Sequence, residues 1–447
     1  MKTKLVSLAA ALALAGCINL APDHQRPALA VADQWPAETA QAGQALNWQQ
    51  YYAGDARLVA LIDIALKNNR DLRAAVFNAE QARAQARVAD ANRWPTINAA
   101  GVYTRVSGDV SSTPRYQAGL GVSSYELDLL GQLRNQSDAA TARYLASVEG
   151  RRAAQITLVA AVASSHLALQ ADSAMLELVA NTLKAREDSE GLMRRKFDVG
   201  VASQLDMSTA ETATGAARAA YAQAKRQRAQ DENALVLLLG QPLPADLPGA
   251  NANTALPDVP VGLPSAVLLA RPDVLQAEQN LVASEANIGA ARAAFFPAIS
   301  LTGQFGTASN ALRDLFSNTV WSFVGQLAMP IFDAGRNRAN LDAAKAAQGA
   351  AVAQYDKAVQ SAFREVADAL AGRATYGEQL TAQEQQTRAA RDTLRLIQLR
   401  FDNGAASQLD LLTAQTNAFA AEQALLQVRL AAQANSVQLY KALGGGV

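Results

Sequence analysis

Apolar and polar residues alternate along the chain with two different periods. From about 56 to 93, alanine and aliphatic residues recur at helical spacing with Arg, Gln and Asn between them, and Pro95 ends this run. Over about 96–128 the period becomes two, with apolar and small residues alternating with polar ones on both sides of a polar turn. These patterns predict a helix followed by a strand hairpin of membrane-spanning length.

An internal repeat reproduces this plan in the second half of the chain. Residues 197–206 match residues 401–410 at eight of ten positions. A second alternating stretch, at about 298–331, places Trp321 and Phe323 on one face of a strand. A repeat of this length indicates two copies of one structural unit.

The predicted helix lengths indicate how these units assemble. A pattern from about 131 to 196 predicts a helix of roughly 100 Å, and those at about 56–93 and 203–239 predict roughly 55 Å each. Such helices are too long for one globule, so we expect them to pack side by side as coiled coil. A solitary fibrous coiled coil is the alternative, but heptads of Leu or Ile would be expected there, and the two strand hairpins disfavour it.

The four strands need partners from other chains. Four strands cannot close a barrel, and an open edge facing lipid would leave backbone groups without hydrogen bonds. Three chains give twelve strands, whereas two give only eight. The predicted fold is therefore mainly α with a small β part. It is a trimeric α-helical barrel of long antiparallel coiled-coil helices, capped by a shared 12-stranded outer-membrane β-barrel with four strands per chain.

The same patterns and a proline-rich stretch divide the chain into five segments. They are 1–16, a lipoprotein signal peptide; 17–55, an acylated N-terminal tether; 56–240, the first structural repeat with its hairpin at about 96–128; 241–264, a linker; and 265–444, the second repeat with its hairpin at about 298–331.

Composition supports closely packed helices with small side chains. Hydrophobic residues make up 50% of the chain, but alanine dominates them and only 6% of residues are aromatic. Lys+Arg and Asp+Glu are equal at 40 each, so nothing indicates a nucleic-acid partner. After the N-terminal segment no uninterrupted apolar run approaches 18 residues, so we expect strands to make the membrane crossing.

The N-terminus predicts export and lipid attachment. Lys2 and Lys4 precede a short apolar run that is typical of a secretory signal and too short to span a bilayer. The residues at 14–17 resemble a bacterial lipobox, which would make Cys17 the acylated first residue of the mature protein. Cys17 is the only cysteine, so it cannot form an internal disulfide. An ordinary signal peptide with an incidental cysteine is the alternative.

Enzymatic chemistry has little support in the sequence. The only histidines are His24, in the predicted tether, and His166, within a long helix, so no histidine metal cluster is expected. Neither a phosphate-binding G-x-x-x-x-G-K-[ST] motif nor a G-x-S-x-G nucleophile elbow occurs. We therefore predict no enzyme activity, no metal and no cofactor other than the covalent lipid on Cys17.

Four motifs together resemble the TolC-type outer membrane factors, in the NodT-like or multidrug branch of lipoproteins. They are Ala21-Pro-Asp-His-Gln-Arg-Pro27, Tyr125-Glu-Leu-Asp-Leu-Leu-Gly-Gln-Leu-Arg134, Arg271-Pro-Asp-Val-Leu-Gln-Ala-Glu278 and Pro330-Ile-Phe-Asp-Ala-Gly-Arg-Asn-Arg338. The resemblance implies a homotrimer in the bacterial outer membrane with a long periplasmic extension. It also implies a periplasmic adaptor and an inner-membrane pump of the resistance-nodulation-division type. The chain would then be the passive duct of a tripartite efflux system.

The repeated segments lie between a long and a short predicted helix, which places them at the end of the tube farthest from the barrel. Gly200 and Gly404 suit tight turns between helices. The resemblance implies that the adaptor contacts this end, so Phe197, Gly200, Phe401 and Gly404 are candidate contact residues.

The resemblance also implies a closed aperture at this end. Asp410 lies where such factors carry a gate aspartate, and three copies would form an acidic ring that favours cations. Some members have a second acidic residue three positions on, but Thr413 stands here, so a double acidic ring is not expected. Asp410, Asp206 and Thr413 are the candidate gate residues. Asp410 and Asp206 also lie where a carboxylate can cap the N-terminus of the following helix. Both roles remain open for Asp410, and capping is the preferred role for Asp206.

Three other functions are compatible with a lipoprotein of this kind. A periplasmic adaptor would need a lipoyl-like β domain and one helical hairpin, not two repeats with amphipathic strands. The outer membrane duct of a type I protein secretion system shares the predicted architecture. A non-transporting structural lipoprotein would form trimers without pore conductance.

Overall fold

A computed structural model describes residues 19–29, 31–35, 47–105, 115–249, 256–259 and 264–445. The predicted signal peptide and Cys17 lie outside these residues, as does the tip of the first hairpin at 106–114. The described residues are mostly helical and include one four-stranded antiparallel sheet. This composition confirms the predicted fold class for the single chain.

The helices and strands follow the order expected of two similar halves. The helices are α1 (Trp48–Tyr51), α2 (Ala56–Asn68), α3 (Arg70–Ala91), α4 (Gln132–Asp198), α5 (Gln204–Leu239), α6 (Pro264–Ala270), α7 (Pro272–Ala293), α8 (Arg336–Asp402) and α9 (Gln408–Ala442). The strands are β1 (Ile97–Thr104), β2 (Arg115–Leu127), β3 (Ala298–Ser309) and β4 (Thr319–Ala328). The long helices α4 and α8 have 67 residues each, and the helices that follow them have 36 and 35.

The chain forms two compact units, and each contains parts of both sequence repeats. The first unit, which we call the sheet unit, comprises the described residues within 1–29, 76–150 and 273–358, including all four strands. The second, the helical unit, comprises the described residues within 30–75, 151–272 and 359–447. The compact units therefore divide the chain differently from the sequence repeats.

In the sheet unit the strands pair in chain order, β1-β2-β3-β4, and all three pairings are antiparallel. The register between β2 and β3 shifts between Val122 and Tyr125, where Ser124 adopts a positive φ of 55°. The backbone N–H of Ser124 donates to the hydroxyl of Thr302 at 3.1 Å, which partly replaces the interrupted ladder. β1 and β4 are the edge strands, and every residue in both is exposed in the single chain.

In the helical unit a core forms around residues that precede the first repeat. The rings of Tyr51 and Tyr440 are stacked with centroids 4.2 Å apart, and Tyr52 packs edge-on against Tyr51. The Tyr51 hydroxyl donates to the carbonyl of Ser436 at 3.0 Å. The end of the predicted tether is therefore part of the folded core, because these rings and Trp48 need burial.

The predicted helix at 56–93 is two helices, separated at Asn69. The Asn69 side chain accepts a hydrogen bond from the backbone of Leu72 at 2.8 Å and donates to the carbonyl of Leu238 at 2.9 Å. The backbone of Asn69 is extended, with ψ at 130°, which ends α2. The next helix, α3, begins at the following residue. The apolar periodicity continues across this break, so periodicity alone did not reveal it.

One described helix, α4, contains a window that is apolar and long enough to cross a membrane by those two criteria alone. Of that window, 44% is buried inside the structure, and core helices of soluble proteins meet the same criteria. The window was not expected from the sequence, because small and polar residues interrupt its apolar runs.

Candidate functional site

The turn between α4 and α5, in the helical unit, is held by a reciprocal hydrogen-bond pair. Ser203 accepts from the backbone N–H of Asp206 at 3.1 Å, and the Asp206 carboxylate accepts from the N–H of Ser203 at 3.0 Å. The Ser203 hydroxyl also donates to this carboxylate at 2.6 Å. This arrangement is a capping box, which pairs backbone donors that the first helical turn leaves unsatisfied.

The turn between α8 and α9 repeats this geometry. Ser407 accepts from the N–H of Asp410 at 3.1 Å, and the Asp410 carboxylate accepts from the Ser407 N–H at 2.9 Å and from its hydroxyl at 2.7 Å. The Ser407 hydroxyl and backbone hold the pKa of Asp410 below its ordinary value, and the side chain is fully exposed. Asp410 thus has a capping geometry and a charge that faces solvent at neutral pH.

Two glycines make the turns tight. Gly200 and Gly404 have φ angles of 75° and 73°, in the left-handed region that a Cβ disfavours. Their N–H groups donate to the carbonyls of Phe197 and Phe401, at 2.9 Å and 3.0 Å. The sequence repeat therefore produces two turns of the same geometry, which we call the first and second tips (residues 197–206 and 401–410).

The two tips lie beside each other. The ammonium group of Lys196 lies 5.1 Å from the centre of the Phe401 ring, which is a cation–π contact. The side-chain amide of Gln408 donates to the hydroxyl of Ser189 at 3.0 Å. Thr413, one helical turn after Asp410, is exposed and donates its hydroxyl to the carbonyl of Leu409 at 2.7 Å.

In the sheet unit, carboxylates cap the helices that follow the hairpins. Asp128 accepts from the backbone N–H of Arg134 at 2.6 Å. Asp333 accepts from the N–H groups of Gly335 and Asn337, at 3.0 Å and 2.9 Å. The polar residues in these two motifs thus satisfy backbone groups at the start of α4 and α8.

An N-terminal segment, residues 20–26, lies along α7 within the sheet unit. Arg26 binds Glu278 through two parallel hydrogen bonds of 2.8 Å and 2.9 Å. His24 Nδ1 lies 2.8 Å from a carboxylate oxygen of Glu285. Arg292 donates to the carbonyl of Leu20 at 2.8 Å. This strap supplies partners for two carboxylates whose side chains are nearly buried.

A glycine lets the strap approach α7 closely. A Cβ on Gly289 would lie 2.7 Å from the backbone nitrogen of Ala21 and 2.6 Å from the amide nitrogen of Asn135. The sequence alone does not indicate this contact. Arg26 and Glu278 both lie in motifs that carry the family resemblance, but one sequence does not show that two residues 252 positions apart meet.

The described part of the chain contains no metal-binding cluster. No group of three or more His, Cys, Asp or Glu residues there has an arrangement that would hold a metal ion. The two histidines are separately paired, His24 with Glu285 and His166 with Asp55.

Comparison with known proteins agrees with these observations. The family model described as "Outer membrane efflux protein" matches residues 61–241 and 263–445. The chain belongs to the outer membrane efflux protein family.

Curated relatives in this family align over nearly their whole length. The chain is 45% identical to the "Probable efflux pump outer membrane protein TtgC" of Pseudomonas putida, covering 100% of this chain and 96% of the relative. It is 40% identical to the "Cation efflux system protein CusC" of Escherichia coli, covering 99% and 98%.

A solved structure gives the same result. The open state of the Neisseria gonorrhoeae MtrE outer membrane channel matches with a TM-score of 0.89 and 40% identity, over 96% of this chain and 98% of that one. The resemblance to TolC-type factors is thereby confirmed. The chain is an outer membrane channel component of an efflux system, located in the bacterial outer membrane. The members of its family are channels, not enzymes.

Proposed function

We propose that three copies of this chain form a passive duct across the outer membrane. The observation that carries this proposal is the open four-stranded sheet, whose edge strands β1 and β4 are exposed along their whole length. In lipid, unpaired edge groups are too costly to persist, so each β4 must pair with the β1 of another copy. Three copies close a twelve-stranded barrel, a size within the known range.

The exposed side chains of β4 fit a lipid-facing surface. Trp321, Phe323 and Leu327 are all more than 60% exposed in the single chain. Large apolar side chains on one face of a strand, two of them aromatic here, are typical of the outward face of a membrane barrel.

We propose that a periplasmic adaptor binds the tips and links the duct to an inner-membrane pump of the resistance-nodulation-division type. Val199, Val201 and Leu205 at the first tip are all more than 70% exposed, and such apolar side chains close together are typical of a docking surface. Asn403 and Ala405 replace the two valines at the second tip. We therefore propose that the first tip makes the main apolar contact, with Phe197 and Gly200, and that Phe401 and Gly404 contribute less.

The pump, in our proposal, determines which substrate passes. Relatives with 40–45% identity are named for toluene, solvent, antibiotic and cation efflux, so similar channels export chemically different substrates. These names favour efflux over type I protein secretion. The channel itself would act without a cofactor.

Lipid attachment at Cys17 is the remaining part of the proposal. The strap begins to contact α7 at Leu20, only three residues after Cys17. An acylated Cys17 would therefore be held close to the sheet unit.

Single-channel conductance in planar bilayers tests the duct and the acidic gate together. We expect wild-type protein to give a small, cation-preferring conductance. Asp410→Asn keeps an acceptor for Ser407 but removes the charge, and we expect cation preference to fall by about twofold or more. Because the pKa of Asp410 is lowered, this preference should persist at neutral pH and disappear only as the pH falls through that lowered pKa.

Asp206→Asn is the matched control, because Asp206 has the same capping geometry in the first tip. We expect its cation preference to equal that of wild type. An unchanged cation preference in both variants would leave Asp410 with a capping role alone. Folded wild-type trimers that give no channel would contradict the duct and support a structural lipoprotein.

A further inference from the structure

A groove of about 580 Å³ lies in the helical unit, between α4, α5 and α9. It has the size of a typical small-molecule site. Its wall includes aliphatic and aromatic side chains and four alanines of α5. These apolar residues are Val179, Leu205, Ala213, Ala216, Ala217, Ala220, Leu412 and Phe419.

Four of the five hydroxyl groups on the wall add little polarity. Four threonines donate their hydroxyls to the carbonyl four residues earlier in their own helix, at 2.7–2.9 Å: Thr182, Thr209, Thr212 and Thr416. With their hydroxyls committed to the backbone, these threonines offer mainly methyl groups to an occupant. The groove is therefore largely apolar.

Arg186 is the one charged residue on this wall among the described residues. It is only 7% exposed. Its guanidinium donates to the side-chain oxygen of Gln415 at 2.7 Å and to the hydroxyl of Thr416 at 3.1 Å, and both partners are neutral. Within the described part of the chain no carboxylate lies at ion-pair distance from it.

A buried guanidinium without a counter-charge is unusual. Burial lowers the pKa of Arg186, but an arginine pKa starts so high that the group stays charged. Removing an ion from water carries a large penalty, which hydrogen bonds to two neutral groups offset only in part. An anion in the groove would supply the missing charge, while its apolar body would cover the methyl-lined wall.

We propose that this groove binds a small organic anion, with a carboxylate on Arg186 and an apolar body between α5 and α9. A guanidinium presents a planar fork that matches a carboxylate, which makes this class of anion the best fit. Leu205, at the end of the first tip, is part of the groove wall, whereas the tip carboxylates Asp206 and Asp410 are not.

Isothermal titration calorimetry on the full chain in lipid nanodiscs tests this proposal with 4-phenylbutyrate as the probe. We expect saturable binding at one site per chain. The uncharged 4-phenylbutanamide has nearly the same shape, and we expect its affinity to be at least about tenfold lower because it cannot form the charge-assisted pair.

Three variants locate the site. Arg186→Gln should weaken 4-phenylbutyrate binding at least about tenfold, since it removes the cation. Ala216→Phe keeps Arg186 but fills the groove, and binding should be lost. Arg218→Gln is the control, because Arg218 is an exposed α5 cation paired with Glu187 and is not on the groove wall. The affinity of Arg218→Gln for 4-phenylbutyrate should stay within about twofold of wild type.

Circular dichroism melting and size-exclusion chromatography would establish that each variant is folded and assembled like wild type. Equal affinities for acid and amide, or for wild type and Arg186→Gln, would overturn the proposal. So would folded wild-type protein that shows no saturable binding of 4-phenylbutyrate.

Discussion

Gly306→Val is expected to prevent β2 and β3 from pairing and to abolish channel formation. Gly306 lies opposite Gly119 in this pairing. A Cβ at position 306 would meet the carbonyl oxygen of Ala118 and would lie 2.5 Å from the Cα of Gly119. Both are backbone atoms, so the strand itself would have to move. We expect a cost on the order of 3 kcal/mol or more.

The same strand supplies a matched control. Gly303 also lies in β3, between β2 and β4, but a Cβ there would have no heavy atom within 4 Å. Gly303→Val should therefore reach the outer membrane at close to wild-type abundance. Quantitative immunoblotting of outer-membrane fractions and bilayer conductance would measure both variants. Similar abundance and conductance for Gly306→Val and Gly303→Val would show that the close approach of β2 and β3 is not required.

Several parts of the fold could be predicted because they depend on local patterns. The period of two near 96–128 and 298–331 corresponds to strand pairs that end within a few residues of those limits. The helix predicted at 131–196 is α4, and its end depends on Gly200, which one sequence reveals because glycine tolerates a positive φ. The break at Asn69 was missed, since it depends on a contact with Leu238 from a distant segment.

In the candidate site, too, features set by local sequence could be predicted and features set by distant contacts could not. Each capping box consists of a serine three residues before an aspartate. A capping role for Asp206 and Asp410 could therefore be predicted from the sequence. The groove around Arg186 was not, because it depends on α9 meeting α4 about 230 residues away in the chain. Arginines in long helices are usually solvated, and only packing shows which one is buried.

A buried contact between His166 and Asp55 in the helical unit leads to the second large expected effect. His166 and Asp55 are almost completely buried, and His166 Nε2 lies 3.0 Å from a carboxylate oxygen of Asp55. The amide of Gln170 lies 2.7 Å from the same ring nitrogen. The other Asp55 oxygen accepts from the backbone N–H of Leu58, so this carboxylate also caps α2.

Asp55→Ala should lower the free energy of unfolding of this unit by about 3–5 kcal/mol, because it removes the carboxylate partner of a buried imidazole and the cap of α2. Guanidinium unfolding followed by the fluorescence of Trp48, which packs in the same core, would measure the loss. Burial raises the pKa of Asp55, but the hydrogen bonds from His166 and Leu58 outweigh it and hold the pKa below its ordinary value. The contribution of the ionised carboxylate should thus be present above about pH 4 and be lost as the pH falls through the lowered pKa.

A double-mutant cycle separates the interaction between His166 and Asp55 from simple loss of packing. Once Asp55→Ala is present, His166→Leu removes the unpaired polar ring, so the double variant should be more stable than the sum of the single losses implies. Glu187→Ala breaks an exposed pair with Arg218 in the same unit and should change stability by no more than about 0.5 kcal/mol. Strict additivity in the cycle, or equal losses for Asp55→Ala and Glu187→Ala, would mean that the buried pair contributes no more than a surface contact.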